Sequence, residues 1–181
     1  METMKTISPT TRRRLAIQGI CNVEERTLAG TAPWLRLAFA LCTLLAATGT
    51  LLASPVILLI LMPIAIWGAV SAVHPVDWLY NLGLRRLTGT GPLPRRGAPT
   101  RFACGLGAVW LAATAWAFHA GATATGYVLG AALTAVGLLV STTDICIPSL
   151  LFRAIFGFPP RSEGQRPTAT LDPDLQKPRA G

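Results

Sequence analysis

Charge is what this sequence has least of. Only 13% of its 181 residues are Asp, Glu, Lys or Arg, against about 25% in an average soluble domain. The scarcity is concentrated in two stretches. Leu37–Val73 carries no ionisable group except Cys42, and Phe102–Thr143 holds only His119, Cys104 and Tyr127 as titratable groups. Spans without Asp, Glu, Lys or Arg weigh against a proton- or ion-coupled transporter, which keeps such residues at mid-membrane. Also missing are a Cys-x-x-Cys pair, a phosphate-cradling loop, a hydrolase elbow and a nucleotide fingerprint, so no cofactor is expected. The two histidines, His74 and His119, fall at opposite ends of the apolar stretches, so no metal site is expected either.

What is there is hydrophobic length. Hydrophobic residues make up 51% of the chain, and mean hydropathy is +0.49. A hydrocarbon core about 30 Å thick takes roughly 20 apolar residues per helix, so each uncharged stretch is long enough for two spans and too long for one. Ala53-Ser54-Pro55 breaks the first stretch and His119–Thr123 breaks the second. Pro55 suits the first turn of a helix, where its missing N–H is no loss. The expectation is an all-α, polytopic membrane protein. It has four transmembrane helices in two hairpins, about 35–53, 55–74, 102–119 and 124–143, followed by a short C-terminal interfacial helix. Residues 1–33 form a basic N-terminal segment, 34–157 the membrane domain with a connection at 75–101, and 158–181 a disordered tail.

All 16 basic residues lie in the two ends and the middle connection, and neither hairpin turn has one. By the positive-inside rule both termini and the 75–101 connection are cytoplasmic, which fits a plasma or inner membrane. The net charge of +8 fits anionic lipid headgroups and requires no nucleic acid. Residues 9–30 read as a basic, interfacial segment. Arg95 and Arg96 are expected to face headgroups, and Trp34, Trp78 and Tyr80 to form an interfacial belt. Gly126, Gly130 and Gly137 allow close helix approach in lipid, within one bundle or across a homo-oligomer contact.

Reactive side chains collect at the inner ends of the helices. His74 and Asp77 follow the second span in "HPVDWLY", Arg101 and Cys104 open the third in "TRFACG", and Asp144, Cys146 and Ser149 follow the fourth. Pro148 cannot donate to the carbonyl of Asp144, so the helix must break there. If Asp144 caps a new helix, Cys146 lies in its first turn, where unpaired N–H groups favour a thiolate. Ser149 then falls on the same face as a hydrogen-bond donor to the sulfur, and Arg153 reaches for lipid phosphates. The bland alternative makes Asp144 a cap or a partner of Arg101, and Cys146 a small buried apolar residue.

"HPVDWLYN", "GAPTRFACGL" and the closing cysteine segment ending at Gly157 resemble an uncharacterised family of small bacterial integral-membrane proteins, domain of unknown function 4395. The resemblance runs over roughly residues 20–157. It implies a membrane fold, and a closing CxxC motif in many members. Cys146 matches its first cysteine, while Ser149 stands where the second would be. It further implies thioredoxin-like or sulfurtransferase proteins as partners. A dithiol cycle would then need Cys104 or a partner protein to resolve Cys146.

Three functions are weighed. The first is an accessory or anchoring subunit whose basic inner face recruits a partner. The second is a membrane thiol protein in sulfur transfer or redox, with Cys146 as nucleophile, Ser149 as donor, and His74 or Asp77 as acid–base helper. The third is a small transporter component.

Overall fold

The structure, a computed structural model, describes residues 7–21, 25–88 and 91–158. The described residues are helical: α1 Pro9–Ile17, α2 Glu25–Leu51, α3 Pro55–Val70, α4 Pro75–Leu79, α5 Arg85–Thr88, α6 Ala98–His119, α7 Thr123–Thr143 and α8 Ile147–Phe156. A π-type turn, Tyr80–Leu84, joins α4 to α5. Apart from its first residue, the expected 158–181 tail lies outside the described residues.

Three helices are long and apolar enough to cross a bilayer: Thr27–Leu51, Ala98–His119 and Thr123–Thr143. The remaining expected span falls on α3, whose 16 residues extend only about 24 Å. It reaches span length together with Pro75–Gly83, to which it is bent by 83°. The bend follows from Ser71–His74, which are not helical, and from Pro75, which restarts a helix with His74 as its cap.

Helices α2, α3, α6 and α7 pack as a ring, α2 against α3, α3 against α6, α6 against α7 and α7 against α2, with α8 laid on α6. Small residues bring α2 and α7 together. Thr43 and Thr50 stand two turns apart on α2, and Gly137 and Gly130 stand two turns apart on α7, directly against them. Both threonines turn their hydroxyls back onto their own helix, Thr43 to Phe39 O and Thr50 to Ala46 O, and the glycines lie against both the hydroxyl and the methyl of each. The glycines of α7 are thus used inside one bundle, as is Gly126, which faces Phe118 of α6. A methyl added by Gly130→Ala would collide with Thr50, so this variant is expected to lose about 1–3 kcal/mol. Adding Thr50→Ala should restore most of it in thermal unfolding in detergent. An unchanged melting temperature for Gly130→Ala would refute this packing.

Leu44, Ile60, Val109 and Val128 are exposed on the outside of the ring, as lipid-facing residues must be. The N-terminal segment is more than an interfacial ribbon. Leu15, Ile20, Leu28 and Leu35 form a small core with Tyr80 and Leu93. Tyr80 is therefore a core residue with its ring 5.0 Å from that of Trp34, and only Trp78 of the expected belt trio is strongly exposed.

Candidate functional site

Arginines close one end of the bundle, because helix ends leave carbonyls without partners. Arg14 of α1 donates to Thr143 O at the end of α7. Arg101 of α6 donates to Ala69 O and Val70 O at the end of α3, and Arg153 of α8 donates to Ile17 O and Ala16 O at the end of α1. Arg153 and Arg101 thus bind carbonyls of their own chain, where a phosphate contact and an Asp144 pair had been the expectations.

Only two acids lie between Glu25 and Glu163, Asp77 and Asp144, and each holds an arginine. Asp144 pairs through both carboxylate oxygens with Arg36 of α2. It ends α7 in a left-handed conformation, φ 59°, and its carbonyl accepts from Gln18 Nε2. Asp144 is therefore the close of α7 and not the cap of a new helix; the capping position of α8 belongs to Cys146 itself. Asp77 pairs with Arg96, Nη2 to Oδ1 at 2.8 Å and Nε to Oδ2 at 2.5 Å. Both residues are almost fully buried, at 2% and 4% exposure. Arg96 therefore does not face headgroups: its guanidinium lies over the Phe39 ring, 4.9 Å from the centroid. Burial works to discharge it, and the hydrogen bond and charge of Asp77 outweigh burial, so its pKa moves upward.

Local sequence explains the placement. His74-Pro75-Val76-Asp77 is a helix start, with Pro75 in the first turn and His74 Nδ1 accepting from Val76 N–H at 3.3 Å. Nδ1 acts as an acceptor, so the proton of the neutral ring sits on Nε2. The backbone bond from Arg96 N to Ala72 O, 2.9 Å long, fastens the connection beside this turn and carries the guanidinium inward.

Above the ion pair lies a cavity of about 140 Å³, lined by Cys42 of α2, His74, Arg96, Cys104 of α6 and Cys146. Gly68 of α3 lets the His74 and Cys104 side chains pack close to it, since a β-carbon there would stand 2.7 Å from His74 Cδ2 and 3.0 Å from Cys104 Sγ. Away from the polar end the walls are apolar, among them Leu61, Leu111 and Leu133. Cys146 is 6% exposed and faces this cavity, which puts its sulfur out of reach of a docked protein. Burial pushes its thiol up from the usual cysteine value, against the hydroxyl and backbone N–H of Ser149 and the charge of Arg96. Ser149, fully buried, directs its hydroxyl proton to Pro99 O at 3.2 Å, so the serine anchors α8 to α6.

Of the expected site residues, His74, Cys104 and Cys146 thus meet on one cavity. Asp77 lies behind it through Arg96, Ser149 beside it, and Asp144 belongs to a separate ion pair. Sequence reasoning passed over Cys42, Phe39 and Arg96. The available signal was the scarcity of acids: a solitary Asp77 among so many arginines demands a partner. Among the described residues no group of three or more His, Cys, Asp or Glu side chains is placed to hold a metal ion.

The family model described as Domain of unknown function (DUF4395) matches residues 32–156, the ring of helices together with the cavity and α8. The chain belongs to this family. No curated protein and no solved structure matches it. The DUF4395 match takes in each of the residues that line the cavity, from Cys42 through Arg96 to Cys146.

Proposed function

We propose that this integral membrane protein is a thiol protein whose reactive pair is Cys104 and Cys146, acting on a molecule that enters the cavity. The observation that carries this reading is the convergence of three thiols and a histidine, from separate parts of the chain, on one cavity. Cys104 supplies the resolving thiol that Ser149 cannot. The segment carrying Cys146 is docked on α6 just before Cys104, through Ser149 to Pro99 O and through Phe152 to Phe102, with ring centroids 5.6 Å apart. In the reaction the two thiols release two protons and two electrons to an acceptor as the Sγ–Sγ bond forms. His74, facing the same space, is placed to relay a proton; Cys42 lines the cavity as well, and the cross-link test below separates it from Cys146 as the partner of Cys104.

The anchoring reading depends on a basic face free to recruit a thioredoxin-like or sulfurtransferase partner. Arg14, Arg36, Arg96, Arg101 and Arg153 are engaged within the chain, and so we rank it second. The same contacts gather five arginines at one end, which supports placing that end in the cytoplasm of a plasma membrane.

The test is oxidation of the membrane-embedded protein with diamide, a small permeant diazene that takes up the two protons and two electrons. Peptide mapping under non-reducing conditions should recover a Cys104–Cys146 cross-link. Cys42→Ser should retain it and Cys146→Ser abolish it. Recovery of both residues as free thiols after full exposure would eliminate the pair.

A further inference from the structure

Two nitrogens at the polar end of the cavity have no partner. His74 Nε2 carries a proton and makes no hydrogen bond among the described residues, although His74 is 4% exposed. Arg96 is 4% exposed and commits Nε and Nη2 to Asp77 and Leu35 O, which leaves Nη1 without a partner among the same residues. Both unpartnered nitrogens are donors, and the residues that bear them line the cavity. Neither nitrogen is among the fully enclosed polar atoms left without a partner, which among the described residues is Thr134 Oγ1, so both keep access to open space and an acceptor that enters the cavity can reach them. The charge of Arg96 is matched by Asp77, so the complementary acceptor is neutral. Carbonyl oxygen fits, and an anion does not.

The remainder of the space sets the body of the ligand. Its walls are apolar, with Trp110 and Leu111 from α6, Leu133 from α7 and Leu61 from α3. Its volume of about 140 Å³ is close to the ~150 Å³ that admits a benzene ring in an engineered protein cavity. A six-membered ring bearing carbonyl oxygens, delivered from the bilayer, meets all three conditions.

From this geometry we infer that the cavity is a binding site for the headgroup of a lipid-soluble quinone. A quinone carbonyl accepts from His74 Nε2 and Arg96 Nη1, and the ring lies against the apolar walls. Resting on the thiol reading above, the quinone is also the electron acceptor for Cys104 and Cys146. The S–H bonds of both cysteines break and one Sγ–Sγ bond forms. The two electrons and two protons released convert the quinone to the quinol, one per chain.

The experiment uses the full chain, reduced and reconstituted without oxygen in phospholipid nanodiscs. It is given decylubiquinone, or an azido derivative of it for photo-crosslinking. The azidoquinone should attach to peptides bearing cavity residues such as Leu111 and Leu133, and excess decylubiquinone should displace it. His74→Phe keeps the ring but removes the donor, and should weaken cavity labelling roughly tenfold, as expected for one lost hydrogen bond. Absorbance should record one quinol per chain, together with the Cys104–Cys146 cross-link. Labelling spread over lipid-facing residues such as Leu44 and Ile60, with no displacement, overturns the inference, and does so even where diamide still links the cysteines. Displaceable cavity labelling without quinol formation keeps the binding site and removes the thiols as its electron source. Cys104→Ser separates the two readings directly, since it should retain labelling and lose quinol.

Discussion

Asp77→Asn is expected to destabilise the fold by about 3–5 kcal/mol, the usual loss when one member of a buried ion pair is removed. The asparagine is nearly the same size, so packing changes little. What changes is Arg96, 4% exposed and held by Asp77 through two nitrogens, which is left as a buried cation without a counter-charge. Leu35 O and the Phe39 ring remain near it, but neither neutralises a full charge in low dielectric. The double variant Asp77→Leu/Arg96→Met should be far more stable than Asp77→Asn, because apolar replacement of a whole buried pair is often neutral. Thermal unfolding of the three proteins in one detergent decides it. A melting temperature for Asp77→Asn equal to that of the parent would mean that Arg96 reaches water, and that the polar end of the cavity is not the closed site described.

Gly97→Ala should be the most damaging of the glycine-to-alanine substitutions at helix contacts. At Gly130 and Gly137 an added methyl meets a threonine side chain, which can adjust. At Gly97 it meets backbone, 2.6 Å from Gly19 O and 2.8 Å from Gly19 Cα. Gly19 itself is held at φ +88°, a conformation that disfavours any residue with a β-carbon. This backbone crossing joins α1 to the start of α6. It is flanked by Gln18, whose carbonyl accepts from Thr100 at 2.6 Å and whose amide donates to Asp144 O at 2.8 Å. The loss expected for Gly97→Ala is at or above the upper end of the ~1–3 kcal/mol typical of overpacking. Limited proteolysis should show α1 released first. Equal stability of Gly97→Ala and Gly130→Ala would show that the crossing can open without consequence.

The helices and their breaks were legible because hydrocarbon solvation depends on local composition. Leu37–Val73 and Phe102–Thr143 declare themselves apolar, and Pro55 and the His119–Thr123 turn divide them. Length was less legible. The second expected span, 55–74, is a helix only to Val70, because Ser71–His74 leave the helical path. The 144–149 segment was read correctly as a break, but the cap was misassigned. Asp144 was drawn away from capping by Arg36, which lies 108 positions earlier in the chain, and no local rule anticipates that.

The same contrast holds for the site. By itself the sequence determined that the chain is helical and apolar through its middle. It also determined that basic residues sit at the helix ends, and that His74, Cys104 and Cys146 lie near one another in depth. Only the tertiary structure decided that Cys42 joins them, that Arg96 turns inward onto Asp77, and that Ser149, beside the sulfur, also reaches Pro99 O. The physical reason is that these helices carry no polar face. In a soluble helix the polar stripe reports which side is buried, whereas here both the lipid-facing and the inward sides are apolar. That three cysteines face one cavity follows from threonine-to-glycine contacts and helix-end arginines that act across the bundle.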